Sequence, residues 1–342
     1  MVISLAFRRF SSRAVWLSAS VLAILLFYAA TAASADWREE LGVFRIALIS
    51  GEDEAGSRAA LEPFRLAVQE KLGLPAELRT DRQLGRLIIN QSDRPAEYVV
   101  LPASAYAAIW LRCECIEPLV IARTADGEEA VRSVLIVRRG SAIKTLAQLG
   151  GKTAFGLSEH SLVGFEIPRR RAARAAAGIN WQFSATAEET LHRFAAGEGD
   201  VLAGWAPAGQ DADVATRGTL ARLKKLASDG QPYLILWQSD PIPNRVHAVR
   251  KNLDGEAKRL LRELLTGLNE NDPITYDQLE PDYSGGFFPA RQGQFSYLIE
   301  FLDEQEKNSV PREPDAEDDG LAGENRTGRQ NSATVTEDAN ES

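Results

Sequence analysis

The sequence predicts an α/β protein, because apolar segments of strand length alternate with amphipathic segments of helix length from residue 43 onward. Runs such as residues 43–50 and 133–137 are almost entirely apolar, which is typical of buried strands. Residues 55–72 carry large apolar side chains at helical spacing, which indicates an amphipathic helix. This alternation favours parallel, doubly wound sheets. In such sheets, ligands bind beyond the carboxyl ends of the strands.

The N-terminus has the pattern of an export signal. Three arginines precede an apolar run at residues 14–30, and the tripeptide Ala-Ser-Ala at residues 33–35 matches a small-residue cleavage site. A membrane anchor is the alternative, but the serines and alanines of the run make a weak membrane span. We therefore predict that residues 1–35 are a signal peptide.

The opposite end predicts a disordered acidic tail. Residues 303–342 are rich in acidic and small polar side chains and contain almost no large apolar ones. Such a composition cannot offset the entropy cost of ordering. The tail's 12 acidic and four basic side chains contribute −8 of the chain's formal net charge of −9. The folded part is therefore only mildly acidic. Its net charge lacks the positive excess that is typical of proteins that bind nucleic acid.

The segment between the two ends, residues 36–302, is long enough for two moderate lobes. In its first part, strands are predicted at residues 43–50, 74–79 and 97–101, and helices at residues 55–72, 83–90 and from about 102. In its second part, strands are predicted at residues 133–137, 152–155, 201–205 and 233–237, and helices at residues 164–177 and 188–196. Residues 245–249 return to the first part, where helices follow at residues 256–268 and 292–301.

Two groups of motifs carry a family resemblance. The first joins the strand SVLIV at residues 133–137 to the strand GKTAFG at residues 151–156 and a serine-containing loop that ends in Gly164-Phe165. The second is LILWQSDPIPN at residues 234–244. Together these motifs resemble the phosphate/phosphite/phosphonate-binding proteins of bacterial ABC importers, and the resemblance covers residues 44–268.

The resemblance implies the type 2 periplasmic-binding-protein fold, in which two α/β lobes are joined by two hinge crossings. These crossings are expected near residues 120–133 and 241–249. Lobe 1 would comprise residues 36–127 and 244–302, and lobe 2 would comprise residues 128–243. Two crossings suit hinged closure over a ligand.

The resemblance also implies the function. We expect a periplasmic solute-binding protein that closes on a small oxyanion, such as phosphate, phosphite or a phosphonate, and delivers it to the permease of an ABC importer. No cofactor, no metal and no nucleic acid are expected. Presentation of the closed form to a sensor histidine kinase is the alternative, and the sequence does not choose between these partners or these ligands.

Candidate ligand contacts in lobe 2 precede a predicted helix. The hydroxyls and amides of Ser158, His160 and Ser161 lie where an oxyanion could be held. Capping of the helix by Ser161 is the alternative. The family usually carries a Ser-Thr-Ser run here, whereas this chain has Ser161, Leu162 and Val163. The loss of two hydroxyls argues against phosphonate itself.

Four further residues match positions at the mouths of the two lobes. Ser104 and Tyr106 open the third helix, and Tyr106 matches a tyrosine of the family; burial in the core is its alternative. Glu188 matches a glutamate of the family, with a surface position in the first helical turn as the alternative. Trp205 ends a strand and would either form one wall of the ligand site or pack in the core.

The two cysteines of the chain, Cys113 and Cys115, leave two interpretations open. Cysteines of exported proteins usually pair, but side chains two residues apart in extended backbone point to opposite faces, so a short disulfide would be strained. One branch of the same family resembles arsenite-sensing periplasmic proteins, and Cys113 lies about where their cysteine takes the arsenic. Since thiolates suit a soft centre, an arsenite-binding sensor that signals to a membrane histidine kinase is the alternative function.

An enzymatic function is not expected. The segment GLSEH at residues 156–160 lacks the final glycine of a nucleophile elbow. A neighbouring serine and histidine in one loop do not make a triad without the geometry. We therefore predict a binding protein.

Overall fold

The computed structural model describes residues 36–50, 52–209, 216–226 and 233–309. The helices are α1 (Trp37–Leu41), α2 (Glu54–Leu72), α3 (Leu84–Asp93), α4 (Ala103–Cys113), α5 (Ile167–Ala173), α6 (Ala187–Ala195), α7 (Thr219–Leu226), α8 (Gly255–Asn271), α9 (Pro273–Leu279) and α10 (Ser296–Ser309). The strands are β1 (Phe44–Ile49), β2 (Ala76–Asp81), β3 (Tyr98–Leu101), β4 (Ile116–Ala122), β5 (Ala130–Arg138), β6 (Thr153–Phe155), β7 (Asn180–Gln182), β8 (Val201–Pro207), β9 (Tyr233–Gln238), β10 (Ile242–Pro243), β11 (Val246–Arg250) and β12 (Phe287–Pro289).

Both predicted chain ends fall largely outside the described residues. The predicted signal peptide at residues 1–35 lies wholly outside them, as does most of the predicted acidic tail. Helix α10 continues to Ser309, beyond the predicted end of the last helix at residue 301, because residues 304–307 are good helix formers. Among the residues described, no helix is both long enough and apolar enough to cross a membrane.

The first sheet has six strands in the order β12-β4-β11-β3-β1-β2. Strand β1 pairs in parallel with β2 and β3, as the alternation of strands and helices predicts. Strand β11 runs antiparallel to both of its neighbours, β3 and β4, and β12 is antiparallel to β4. The sheet is therefore mixed, because the chain re-enters it from the second sheet in the opposite direction.

The second sheet follows the order β10-β5-β8-β6-β7, with β9 also paired to β5. Strand β6 is parallel to β7 and β8, whereas β5 is antiparallel to β8, β9 and β10. Two connections join the sheets: residues 123–129 between β4 and β5, and residues 244–245 between β10 and β11. The two-lobe α/β fold with two crossings is thus confirmed.

Each sheet is covered on both faces. Alternate residues of the strands point to opposite sides, so Phe44 packs in one cluster with Phe64 of α2, and Val99 packs in another with Ile109 of α4. In the second sheet, β5 alternates in the same way between a cluster that includes Phe194 and one that includes Leu149, Ala172 and other residues. The cluster around Val99 also contains Ile167 of α5 and Ile242 of β10, a strand of the second sheet.

The ends of two helices follow directly from their residues. Helix α2 begins after Asp53, whose side chain accepts a hydrogen bond from the N–H of Gly56 at 2.8 Å. It ends at Gly73, which has a φ of 72° and donates its N–H to the carbonyl of Gln69. Helix α4 ends at Glu114, which has a φ of 47° and is the single non-glycine residue with positive φ in the described ranges.

Candidate functional site

The start of α4 offers donors to an anion on the lobe 1 side. Strand β3 ends at Leu101, and Pro102 caps the helix without a side-chain hydrogen bond. The N–H groups of Ala105 and Tyr106 both donate to the carbonyl of Pro102. The N–H groups of Ala103 and Ser104 and the half-buried hydroxyl of Ser104 have no partner among the described residues. Free N–H groups at the positive end of a helix favour a bound anion.

Tyr106, by contrast, lies in the core. Its side chain is fully buried, its ring packs 4.4 Å from the ring centroid of Phe295, and its hydroxyl donates to Oε1 of Gln292. Burial raises the pKa of Tyr106 above its ordinary value, so the hydroxyl stays neutral. Because its one hydrogen is donated to Gln292, the hydroxyl presents only acceptor lone pairs elsewhere.

On the lobe 2 side, the predicted serine loop follows β6. Ser158 and His160 are exposed, and the Ser158 hydroxyl accepts the N–H of His160 at 3.4 Å. Ser161 caps the next helical turn, where its hydroxyl oxygen accepts the N–H of Gly164 at 2.9 Å. Ser161 therefore has the capping role stated as its alternative, but its hydroxyl hydrogen remains available as a donor.

The helix after this loop starts with a π-helical turn at Leu162–Glu166. The N–H groups of Phe165 and Glu166 both donate to the carbonyl of Ser161 at 3.0 Å. Gly164 is buried in this turn, and a Cβ there would lie 2.8 Å from the Ser161 hydroxyl, so the turn needs glycine. π-helical turns are frequent at functional sites.

The start of α4 and the π-helical turn meet one hydrophobic cluster. Ala103, Ala105 and Tyr106 belong to this cluster, and Leu162 and Val163 pack against it. The two positions at which the family usually carries hydroxyls are therefore apolar packing residues in this chain. A helix start from each lobe therefore borders the same cluster.

Glu188 lies on the surface. It is in the first turn of α6, where its carboxylate pairs with Arg222 of α7 and lies 3.6 Å from Nε2 of His192. Thr186, and not Glu188, caps the helix by accepting the N–H of Glu189 at 3.1 Å. Glu188 thus has the surface position stated as its alternative, and its charge is already paired.

Trp205 is half-buried in β8 and pairs across the sheet with Ser133 of β5. Its backbone N–H donates to Oγ1 of Thr219 at 2.9 Å. Ser133 is fully buried, and its hydroxyl has no hydrogen-bond partner among the described residues. The sequence motif SVLIV begins with Ser133, but the motif does not predict that the hydroxyl is buried without a partner.

The structure corrects the expectation for the two cysteines. Cys113 and Cys115 form a disulfide with their Cα atoms 5.0 Å apart. The expectation of opposite faces assumed extended backbone, whereas the positive φ of Glu114 turns the chain between the two cysteines. Neither sulfur is a free thiol in this structure.

A network of buried polar side chains extends to the second crossing. The sequence analysis did not predict this network. Tyr98 shares a hydrogen bond with Nδ1 of His247, whose Nε2 lies 2.7 Å from Oε1 of Glu280. The other carboxylate oxygen of Glu280 lies 3.4 Å from Nε of Arg245, and Nη2 of Arg245 lies 3.2 Å from Asp282. Burial raises the pKa of Tyr98 well above its ordinary value. The feature of the sequence that could have indicated this network is the histidine within the apolar strand β11.

A cavity of about 650 Å³ lies beside the two crossings. Its lining includes the carboxylate residues Asp126, Glu128, Glu129 and Asp240 and contains no lysine or arginine. These carboxylates carry negative charge and therefore repel an anion. This cavity is therefore unsuited to an oxyanion.

Comparisons with known proteins give a family and a fold. A family model described as "ABC transporter, phosphonate, periplasmic substrate-binding protein" matches residues 46–294. No curated protein matches the chain. Two structures of XAC2383 from Xanthomonas citri, bound to chloride and to ATP, are 18% identical and give TM-scores of 0.52 and 0.53. Each alignment covers 79% of this chain and 100% of the other.

PhnD1 from Prochlorococcus marinus, solved in complex with methylphosphonate, is 14% identical with a TM-score of 0.46. That alignment covers 78% of this chain and 99% of PhnD1. At this level of identity, the XAC2383 structures show the fold alone.

Proposed function

The chain belongs to the phosphonate family of ABC-transporter periplasmic substrate-binding proteins, and from that premise we propose that it closes on a small oxyanion and delivers it to the permease of an importer. As a member of this family it is a binding protein and not an enzyme. Phosphate, phosphite and phosphonates share the tetrahedral, anionic head that such a site would recognise.

The observation that carries this proposal is that two helix starts, one from each lobe, border the same hydrophobic cluster. The N–H groups of Ala103 and Ser104 lack partners among the described residues, and the π-helical turn after Ser161 packs against the same hydrophobic cluster. One helix start follows a strand of each sheet, which is where α/β sheets bind ligands. An anion between them would receive donors from both lobes and favour the closed form.

The predicted ligand contacts differ in what they can offer. Ser104 has a hydroxyl without a described partner, and Ser158, His160 and Ser161 lie in the loop that would face it. Tyr106 would have to release Gln292 before it could donate to an anion. Glu188 would repel an anion unless its pair with Arg222 stayed in place. We therefore propose that Ser104 and the loop at residues 158–161 make the principal contacts with the oxyanion. Trp205 would form one wall of the ligand site.

The arsenite-sensing alternative requires a thiolate at Cys113. Since both sulfurs are joined in the disulfide, a soft ligand would have to await reduction of the protein. The oxyanion ligand needs no such step, so we favour delivery of an oxyanion to a permease over arsenite sensing through a histidine kinase.

Thermal unfolding of the exported protein with phosphate, phosphite, methylphosphonate and arsenite tests the proposal. A ligand that binds only the folded, closed form stabilises it by about 2.7 kcal/mol at a hundredfold excess over Kd. We expect at least one of the three phosphorus oxyanions to raise Tm by several degrees at millimolar concentration, with sodium chloride at equal ionic strength as the control. If none of them shifts Tm, the ligand class is wrong.

A further inference from the structure

A second cavity, of about 470 Å³, lies at the carboxyl ends of β1 and β3 in the first sheet. It has room for about fifteen water molecules at ~30 Å³ each, which is more than a methylphosphonate needs. Pro102, which caps α4, is one of its lining residues. The cavity therefore reaches the residue that precedes Ala103 and Ser104, whose N–H groups have no partner among the described residues.

The walls of this cavity are mainly apolar. Nine of its 12 lining residues are apolar, among them Ile49, Leu61, Leu84 and Val100. Ile49 and Leu84 are each 36% exposed, which is unusual for large apolar side chains in this protein. Exposed apolar surface inside a concave site is typical of a ligand-binding groove.

Arg245 is the one cationic residue of the lining. Buried Glu280 holds its Nε, and Asp282, whose side chain is 71% exposed, contacts its Nη2. The contact with Glu280 is an ion pair without a hydrogen bond, so of the two contacts only that with Asp282 engages one of the five N–H donors of the guanidinium. Nη1 has no partner among the described residues. An exposed ion pair such as that with Asp282 is weak, so an anionic ligand can replace it while Glu280 keeps the side chain in position.

We propose that this cavity takes the apolar substituent of an organic anion, with the anionic head between Arg245 and the start of α4. The ligand class is then an organic anion whose apolar substituent has several carbon atoms, and not inorganic phosphate. This inference rests on the proposed function, since it places the head of the ligand at the same helix start. An apolar chain in the cavity contributes affinity by burying its methylene groups, about fourfold for each group that is fully buried.

Calorimetric titration of the exported protein with methylphosphonate, hexylphosphonate and heptanoate tests the inference. We expect hexylphosphonate to bind at least about tenfold more tightly than methylphosphonate, because several methylene groups are buried. Heptanoate separates the two head groups: binding as tight as that of hexylphosphonate supports the apolar cavity with any anionic head, and weaker binding supports a phosphonate head.

Two neighbouring alanines of α2 supply a matched pair of variants. Ala60 lines the cavity, whereas Ala59 is exposed on the same helix and does not line it. Ala60→Phe fills the cavity, so we expect the hexylphosphonate-to-methylphosphonate affinity ratio to fall close to one. Ala59→Phe should leave that ratio at the wild-type value.

The outcomes separate this inference from the proposed function. If methylphosphonate binds as tightly as hexylphosphonate, or if Ala60→Phe leaves the ratio unchanged, the apolar cavity is not the substituent site, although the oxyanion function stands. If neither phosphonate binds the wild-type protein, this inference fails, and the proposed function fails with it only if phosphate and phosphite do not bind either.

Discussion

Individual residues show why local sequence patterns indicate only part of the proposed site. Ser104 and Ser161 lie at the starts of helices, as their positions in the alternating pattern indicate. Tyr106 and Glu188 match positions of the family, but the first lies in the core and the second is paired on the surface. Whether a side chain faces the cleft depends on partners distant in sequence, such as Gln292 for Tyr106, which local spacing does not contain.

The network of buried polar side chains from Tyr98 to Arg245 predicts that removal of one polar group lowers the free energy of unfolding. In Tyr98→Phe, Nδ1 of His247 loses its partner inside the core, which should cost about 1–3 kcal/mol of the free energy of unfolding. Urea unfolding measures this loss. Tyr233→Phe is the control, because Tyr233 is also buried but its hydroxyl has no hydrogen-bond partner within the described ranges. Equal effects of the two substitutions would contradict a role for the Tyr98 hydroxyl.

The disulfide predicts how the protein responds to arsenite. Since Cys113 is bonded to Cys115, we expect the oxidised protein to show no arsenite binding in a calorimetric titration. Reduction exposes both thiols, and Cys113→Ser and Cys115→Ser should then have similar effects, mainly on stability. Arsenite binding that is lost on Cys113→Ser and kept on Cys115→Ser would instead restore the sensing function.

At the scale of elements, long apolar runs were predicted well and irregular ones were missed. The strands β1, β3, β5, β8 and β9 and the helices α2 and α8 agree with their predicted positions to within a few residues. Strand β4 was not among the predicted strands, and it contains Pro118, a residue type that is disfavoured within sheets. The structure places Pro118 at a register shift between β4 and β11, where a proline is tolerated.

The π-helical turn provides a test at this scale. Gly164→Ala would place a Cβ 2.8 Å from the capping hydroxyl of Ser161, so we expect a loss of about 1–2 kcal/mol of stability, as for a lost helix cap, and weaker oxyanion binding. Gly255→Ala is the matched control, because a Cβ there meets nothing within 4 Å. Thermal unfolding and titration of both variants measure the effects, and an unaffected Gly164→Ala would show that the turn is not constrained.

At the scale of the whole molecule, the family resemblance supplied what periodicity could not. Alternating strands and helices indicate doubly wound sheets, but they do not say that the chain leaves the first sheet and returns to it. The crossings at residues 123–129 and 244–245 follow from the pairing of β11 between β3 and β4. That pairing depends on contacts between residues more than a hundred positions apart.

The start of the mature protein is a further prediction. Asp36 caps α1, and its carboxylate accepts the N–H of Arg38 at 3.1 Å. Cleavage after Ala35 would leave this cap intact at the N-terminus. N-terminal sequencing of the exported protein should therefore begin at Asp36. A protein that retains residues 1–35 after export would instead indicate a membrane anchor.

Closure on an oxyanion held by both lobes is the central claim, and calorimetric titration with single variants from each lobe tests it most directly. Phosphate and methylphosphonate would be titrated into the wild type, Ser104→Ala from lobe 1, Ser158→Ala from lobe 2, and Ser92→Ala as a control whose hydroxyl donates within α3. Hydrogen bonds to charged groups contribute about 1.5–3 kcal/mol, so the account predicts at least about tenfold weaker binding of the same ligand for both cleft variants and no change for Ser92→Ala. Binding that is weakened by neither cleft variant, or no binding to the wild type, would contradict it.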